Sequence, residues 1–278
     1  MQKLKVVFFG SSRFVIPIIE VLKKNFDLAL VVTTEKLPTD PIPSYCLKSK
    51  VYYYVVIDFR DKRIIDRLKK INADIAALAS FGAIIPLRIL NLFPKGIINI
   101  HPSLLPKYRG PSPVQAAILN GDKTTGITII KLDEEVDHGP ILAQSHEPIL
   151  ENDTSESLYE RLFRLGSSLI VRTIKLYVKG KITPYEQDNP QATFTKSLTR
   201  QDGYIDPNNS QSKEYLDRMT RAYYPWPNVW TRWKSKIIKF YPNALVQIEG
   251  KKPVDIETFK RGYPDSINWI EKLLGQQK

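Results

Sequence analysis

The sequence contains few of the features that mark secreted, membrane-spanning or metal-binding proteins. Its single cysteine, Cys46, excludes an intramolecular disulfide and suits a reducing compartment. No apolar run approaches the roughly 20 residues that cross a bilayer, and the N-terminal segment lacks a small-residue cleavage site, so it predicts a first buried strand rather than a signal peptide. No set of histidine, cysteine or carboxylate residues has metal-ligand spacing. These absences predict a cytoplasmic protein with no membrane contact and no metal.

Positive charge is concentrated in the last third of the chain. The sequence has 41 Lys and Arg residues against 29 Asp and Glu, a net charge of +12. Residues 190–278 hold 15 basic and 9 acidic residues, which places half of that excess in about a third of the length. A basic C-terminal part suits a polyanionic partner such as RNA, and solubility alone is the alternative explanation.

Short apolar runs alternate with helix-like patterns through the first 150 residues. Several of the runs are almost continuously apolar, which is typical of strands buried on both faces of a parallel sheet. The alternation predicts a doubly wound α/β fold with a mostly parallel sheet, in which ligands bind at the carboxyl ends of the strands. The predicted strands are 4–9, 28–33, 75–79, 97–101 and 126–132, and the predicted helices are 14–24, 61–71, 86–92 and 114–120.

The chain changes character after a long amphipathic helix, which the pattern predicts over 155–179. The next segment, 183–207, is polar and contains several prolines, which is typical of a linker. A short helix and three strand-like pieces follow, and several short strands in so short a segment favour a small β-barrel. The length of the chain favours a larger and a smaller domain. We therefore predict a larger domain at 1–189, a linker at 190–206 and a small C-terminal domain at 207–278.

Three polar side chains stand at the ends of apolar runs. Asn99 and His101 are two residues apart on one predicted strand, so their side chains point to the same face, and Pro102 ends the strand there. An amide can donate to a carbonyl oxygen, and an imidazole can donate to the same oxygen or exchange a proton near neutral pH. Asp137 follows the next strand and can orient the imidazole or accept a proton. Since no Ser or Cys has a nucleophile's context, we expect direct transfer without a covalent enzyme intermediate.

These residues and the segment after them resemble a known family. The Asn-x-His pair, the distal Asp and the Ser-Leu-Leu-Pro segment at 103–106 are similar to those of the folate-dependent formyltransferases, and most closely to the methionyl-tRNA formyltransferases. The resemblance implies a Rossmann-like formyltransferase catalytic domain followed by a small OB-like domain. It also implies formyl transfer from 10-formyltetrahydrofolate to a primary amine, with Asn99, His101 and Asp137 as the catalytic residues.

The same resemblance implies a folate pocket around this segment. Apolar walls with a few main-chain donors and acceptors suit a flat heteroaromatic amide such as a pterin. The residues implied for folate binding are Ser103, Leu104, Leu105, Pro106, Phe81, Gly82, Ile84, Ile85 and Val136.

The C-terminal third indicates the acceptor. Segments 221–227 and 249–253 resemble the C-terminal domain of the methionyl-tRNA formyltransferases, although the sugar-nucleotide enzymes carry a segment similar to the first. The resemblance implies a monomer that binds folate and initiator methionyl-tRNA and supports translation initiation. The alternatives are an enzyme that formylates an amino-sugar nucleotide and a non-catalytic folate- or RNA-binding relative. The residues expected to bind tRNA are Phe14, Lys36, Arg109, Lys234, Lys236, Lys251 and Lys252.

Two further segments bear on how tRNA would be recognised and on which class of enzyme is excluded. The loop after the second predicted strand, 33–45, is shorter than is usual in that family and has Lys36 as its only cation, so recognition of tRNA would depend more on the C-terminal part. Gly10-Ser11-Ser12 is not a dinucleotide-binding fingerprint, which argues against a nucleotide-dependent oxidoreductase.

Overall fold

The computed structural model describes residues 3–208 and 211–273. The outer ends of the predicted domains 1–189 and 207–278, with Asn209 and Ser210, lie outside the described residues. The chain forms two compact units, of which the first comprises Met1–Pro111, Thr125–Glu147 and Tyr159–Phe194, and the second comprises Ser112–Thr124, Pro148–Leu158 and Thr195–Lys278. The predicted division at 190–206 stays a prediction.

A seven-stranded sheet organises most of the first 150 residues. Its strand order is β3-β2-β1-β4-β5-β6-β7, and β1 to β5 are parallel to one another. The strands are β1 (Lys5–Gly10), β2 (Asp27–Thr33), β3 (Tyr53–Val55), β4 (Ile75–Ala79), β5 (Ile97–His101), β6 (Thr124–Lys131) and β7 (Ile141–Pro148). The helices between and after them are α1 (Ile16–Asn25), α2 (Pro41–Lys48), α3 (Lys62–Ile71), α4 (Leu87–Leu90), α5 (Pro113–Asn120) and α6 (Ser155–Val178).

Helices cover both faces of this sheet, as the doubly wound prediction requires. On one face, Phe9 of β1 belongs to an apolar cluster that includes Ile64 of α3 and Ile89 of α4. On the other face, α6 approaches closely at Gly166, where a Cβ atom would lie 2.9 Å from the Ile100 side chain. Both faces of β1, β4 and β5 are therefore buried, which explains why these strands read as continuous apolar runs.

Strand β6 departs from the parallel pattern, and this changes how one predicted site residue reaches the site. It pairs antiparallel with β5, with Thr128 opposite His101 and Lys131 opposite Ile98. The carboxyl end of β6 therefore lies beside the amino end of β5, at the opposite edge of the sheet from His101. Asp137 therefore does not reach His101 by standing at the end of a parallel strand, and the chain after β6 has to fold back toward β5 to bring it there.

The second unit contains an antiparallel sheet of strand order β11-β10-β9-β8. The hairpin between β8 and β9 turns at Lys234 and Ser235, both with positive φ, as the favoured two-residue hairpin turns require. This sheet agrees with the predicted small barrel-like domain. The helices and strands of the unit that follow residue 195 are α7 (Lys213–Ala222), β8 (Val229–Trp233), β9 (Lys236–Tyr241), β10 (Leu245–Ile248), β11 (Val254–Asp255), α8 (Ile256–Gly262) and α9 (Ile267–Leu273).

Among the described residues, no helix combines the length and the apolar character needed to cross a bilayer.

Candidate active site

Asn99 and His101 occupy the carboxyl half of β5 and are both buried. They share a face of the sheet with Ile97, because side chains alternate along a strand. Ile97 belongs to the apolar cluster of that face, so the two polar groups continue an apolar surface at the strand's carboxyl end. Buried polar groups need hydrogen-bond partners, and both side chains have them.

The Asp137 carboxylate lies between these two side chains. Its Oδ1 accepts a hydrogen bond from Asn99 Nδ2 at 3.0 Å, and its Oδ2 lies 3.5 Å from His101 Nδ1. The backbone N–H of Gly110 donates to the same Oδ2 at 2.8 Å. The carboxylate thus contacts both the amide and the imidazole, as expected for the three groups from the sequence.

His101 is held through both ring nitrogens. Its Nε2 lies 2.9 Å from the carbonyl oxygen of Tyr108, and its Nδ1 faces Asp137. A carbonyl oxygen only accepts, so Nε2 carries a hydrogen in this arrangement.

The loop between β6 and β7, residues 132–140, folds back so that Asp137 contacts β5; we call it the Asp137 loop. Asp137 itself has a left-handed backbone, with φ 50°, a conformation in which Asp is among the more tolerant residues but which still costs free energy. Two residues later, Gly139 packs directly on the carbonyl oxygen of Lys131, where a Cβ atom would collide. The loop therefore has a close-packed and strained path that the rest of the fold must hold.

Two side chains from β6 and β7 hold the Ser103–Pro106 segment through hydrogen bonds to its backbone, and neither was expected from the sequence. Thr128 Oγ1 donates to the Ser103 carbonyl oxygen at 2.7 Å and accepts from the Leu105 N–H at 3.0 Å. Gln144 Nε2 donates to the Leu105 carbonyl oxygen at 2.8 Å. Ser103 and Leu105 are buried by this arrangement, whereas Leu104 and Pro106 are partly exposed.

The other residues predicted for folate binding divide into anchors and exposed groups. Phe81 is buried, with its ring 5.5 Å from that of Phe9, and Ile85 is buried in the same cluster. Between these anchors, Gly82 has φ 73° and is exposed, and Ile84 is 79% exposed. Val136, on the Asp137 loop, is 55% exposed. Ile84 and Val136 are thus accessible for apolar contacts with a ligand.

The residues predicted to bind tRNA lie in different settings. Phe14 stacks on Tyr159, and Lys36 is exposed between β2 and α2. Arg109 is only 3% exposed, and its guanidinium is held by protein side chains, so no phosphate reaches it without rearrangement. In the second unit, four exposed lysines remain candidates for phosphate contacts: Lys234, which pairs with Asp265, Lys236, Lys251 and Lys252.

A network around Gln187 was missed from the sequence. Gln187 Nε2 lies 2.8–2.9 Å from the carbonyl oxygens of residues 137, 138 and 139, and its Oε1 accepts from Arg109. Asn189 links Arg109 to His138, and His138 contacts Asp133. A single glutamine in a polar, proline-containing segment carries no periodic signal, so only the spatial contacts reveal it. We call these five residues the Gln187 network: Arg109, Asp133, His138, Gln187 and Asn189.

Within the part of the chain that the structure describes, no three His, Cys, Asp or Glu side chains group so that they could hold a metal ion. The site geometry is that of an amide, an imidazole and a carboxylate arranged around a polar strand end. Such a set can polarise a carbonyl group and move a proton.

Comparison with known proteins identifies the class. Residues 4–174 match the formyl transferase family, and residues 197–246 match the formyl transferase C-terminal domain. The chain belongs to the formyl transferase family. One relative, the methionyl-tRNA formyltransferase of Roseiflexus sp. (strain RS-1), is 39% identical over 87% of this chain and 77% of its own. Another, from Buchnera aphidicola subsp. Schizaphis graminum, carries the same name and is 34% identical over 82% of this chain and 74% of its own.

Solved structures share the fold at lower identity. A sugar N-formyltransferase from Shewanella sp FDAARGOS_354 covers 90% of this chain and 99% of its own, with a TM-score of 0.69 and 21% identity. Glycinamide ribonucleotide transformylase 1 from Symbiobacterium toebii covers 67% of this chain and 95% of its own, with a TM-score of 0.59 and 24% identity. At these identities the likeness shows the fold alone.

Proposed function

We propose that this enzyme transfers a formyl group from 10-formyltetrahydrofolate to the α-amine of initiator methionyl-tRNA. The observation that carries the proposal is the contact of Asp137 with both Asn99 and His101 in a chain of the formyl transferase family. The three groups supply the donors and the acceptor that formyl transfer to an amine needs.

The exposed apolar groups of the site fit a reduced pterin. Ile84 and Val136 offer apolar contacts, and the exposed backbone at Gly82 approaches a ligand without a side chain in the way. Leu104 and Pro106 would add to this surface, while Ser103, Leu105, Phe81 and Ile85 support it from the interior. The folate supplies an activated formyl group when bound.

The chain's own residues then handle charge and protons. Asn99 Nδ2 has two hydrogens, and only one is used on Asp137, so the other can be donated to the formyl oxygen. The 3.5 Å contact between His101 Nδ1 and Asp137 is the longer of the two that hold the ring, so it exchanges most readily for a substrate oxygen. Asp137 accepts the proton that the attacking amine loses, and transfer of a proton to the folate nitrogen lets the bond between that nitrogen and the formyl carbon break, which releases tetrahydrofolate. Donors placed where negative charge develops each contribute a few kcal/mol in typical enzymes.

The acceptor is argued from the whole length of the chain. Relatives named methionyl-tRNA formyltransferase match more than four fifths of it at 34–39% identity. The sugar N-formyltransferase likeness is one of fold. The basic segment 190–278, with its exposed lysines, suits a tRNA better than a nucleotide sugar.

The test is an acceptor comparison with purified protein. We expect formylmethionyl-tRNA when the chain is incubated with 10-formyltetrahydrofolate and methionyl-tRNA, and no product from an amino-sugar nucleotide. His101→Ala should lower the rate by about a hundredfold or more, because general acid–base groups contribute that much. His146→Ala, which removes an exposed histidine of β7, is the matched control and should keep the rate. Product from the sugar nucleotide alone would overturn the acceptor.

A further inference from the structure

Three backbone carbonyl groups in a row share one side-chain amide at the back of the Asp137 loop. Gln187 Nε2 lies 2.9 Å from the oxygens of Asp137 and His138 and 2.8 Å from that of Gly139. Gln187 is 6% exposed, so water cannot readily replace it there. The Gln187 amide therefore holds the backbone of Asp137 itself, as well as that of the two residues after it.

The orientation of that amide is set by a buried cation. Arg109 donates through Nε at 3.1 Å and Nη2 at 2.8 Å to Gln187 Oε1, so the oxygen of Gln187 faces the guanidinium and the nitrogen faces the loop. The Nη2 group also donates to Asn189 Oδ1 at 2.6 Å. Two donors on one oxygen leave Gln187 a single orientation that satisfies both ends.

We propose that Gln187, oriented by Arg109, is the positioning residue that holds Asp137 in its left-handed conformation against Asn99 and His101. The inference rests on the proposed function and adds to it a residue that touches none of the reacting atoms. Without the amide, three adjacent carbonyl oxygens lose their shared donor. The loop then relaxes toward an ordinary φ, and the carboxylate leaves the two side chains on β5. A displacement of about 1 Å in a reacting group can cost about a hundredfold in rate.

Gln187→Glu tests this with little change in size. The carboxylate keeps its attraction to Arg109, so the fold stays intact, but it has no hydrogen to donate and repels the three carbonyl oxygens. We expect kcat to fall about tenfold to a hundredfold while KM for methionyl-tRNA and for the folate changes less than about twofold. Gln201→Glu, the same substitution at an exposed glutamine, is the matched control and should leave kcat unchanged.

A double-mutant cycle with Asp137→Asn separates positioning from general damage. If Gln187 acts through Asp137, adding Gln187→Glu to Asp137→Asn lowers the single-turnover rate no further. A second loss of the same factor would overturn the proposal, since it would mean that Gln187 affects the rate by another route.

Arg109→Lys gives a second variant, because lysine keeps the charge but cannot hold Gln187 Oε1 with two donors. We expect a smaller fall in kcat, again absent in the Asp137→Asn background. A rise in KM for methionyl-tRNA with kcat unchanged would instead support the predicted tRNA contact of Arg109 and contradict the positioning role. If the wild-type chain formylates only an amino-sugar nucleotide, the acceptor is wrong, and the same cycle measured with that acceptor still decides about Gln187.

Discussion

Gly139 shows how tightly a single residue can constrain the path of the Asp137 loop. Its φ is not in the left-handed region, so glycine is required there for space and not for conformation. The atoms that a Cβ would meet belong to the backbone of Lys131 and Asp133, which cannot swing aside as a flexible side chain would. Burial of even one methyl group against such neighbours forces the backbone to shift.

We therefore expect Gly139→Ala to lower the free energy of unfolding by about 1–3 kcal/mol. Formylation should fall as well, since Asp137 lies on the same loop. The control is Gly262→Ala at the end of α8, where nothing lies within 4 Å of the added atom and φ is not in the left-handed region. Urea unfolding of the two variants measures the difference, and equal midpoints would contradict the steric argument.

The three residues that we propose as catalytic can be singled out in the sequence, and the side chains that support them cannot. Asn99 and His101 stand out because polar groups at the end of an apolar strand need a purpose, and Asp137 completes a recognisable motif. Gln187 and Thr128 have no such signal, because their importance lies in contacts with residues 23 to 78 positions away in the chain. Side chains that hold backbone across that separation are visible only once the fold is known.

At the scale of elements, strong periodic or apolar segments were predicted well. Strands β4 and β5 have the bounds expected from the sequence. Strand β3, with three residues, is too short to leave a pattern, and α2 was missed because its Pro41 and Pro43 are more typical of a loop. The antiparallel direction of β6 was not foreseen, because a continuous apolar run does not reveal which way the strand points.

A capped turn at 199–203 in the second unit gives a pH-dependent contribution to stability. Hydrogen bonds from Lys196 and from the backbone and side chain of Thr199 lower the pKa of Asp202 to about 2, from an ordinary value of 3.8. Because the folded state favours the ionised form, the contribution is present above about pH 4 and is lost as the pH falls toward 2.

Asp202→Asn should accordingly be less stable than the wild type at pH 7. The difference should be about 1 kcal/mol or less, since Lys196 is largely exposed and surface pairs contribute little. Urea unfolding at several values of pH between 7 and 2 measures it. We expect the two curves to converge toward pH 2, and a difference that stays constant over that range would argue against the ionised carboxylate as the cause.

At the scale of the whole molecule, the net charge of +12 governs the encounter with a polyanion. Phosphate contacts release bound counterions, so affinity falls as a power of the salt concentration. A small folate has few charges and is much less affected. The salt dependence of the two substrates should therefore differ.

Raising salt from 50 to 200 mM should increase KM for methionyl-tRNA about tenfold to fiftyfold, with KM for the folate within about twofold. Removing two phosphate contacts with Lys251→Ala and Lys252→Ala should reduce the slope of log affinity against log salt by about 2. Lys69→Ala with Lys70→Ala, two exposed lysines of α3, makes the same change in net charge and is the control. Equal slopes for both double variants would show that net charge alone sets the salt dependence and that Lys251 and Lys252 do not contact the RNA.

Because β6 runs antiparallel to β5, the three residues of the candidate site are carried by two different kinds of structure. Asn99 and His101 are built into a central strand and form with the sheet, whereas the acid arrives on a hairpin connection between the last two strands. Cleavage of the backbone within the Asp137 loop would leave the seven strands paired but would release Asp137 from Asn99 and His101. A change in the Asp137 loop alone can therefore abolish activity while the sheet still folds.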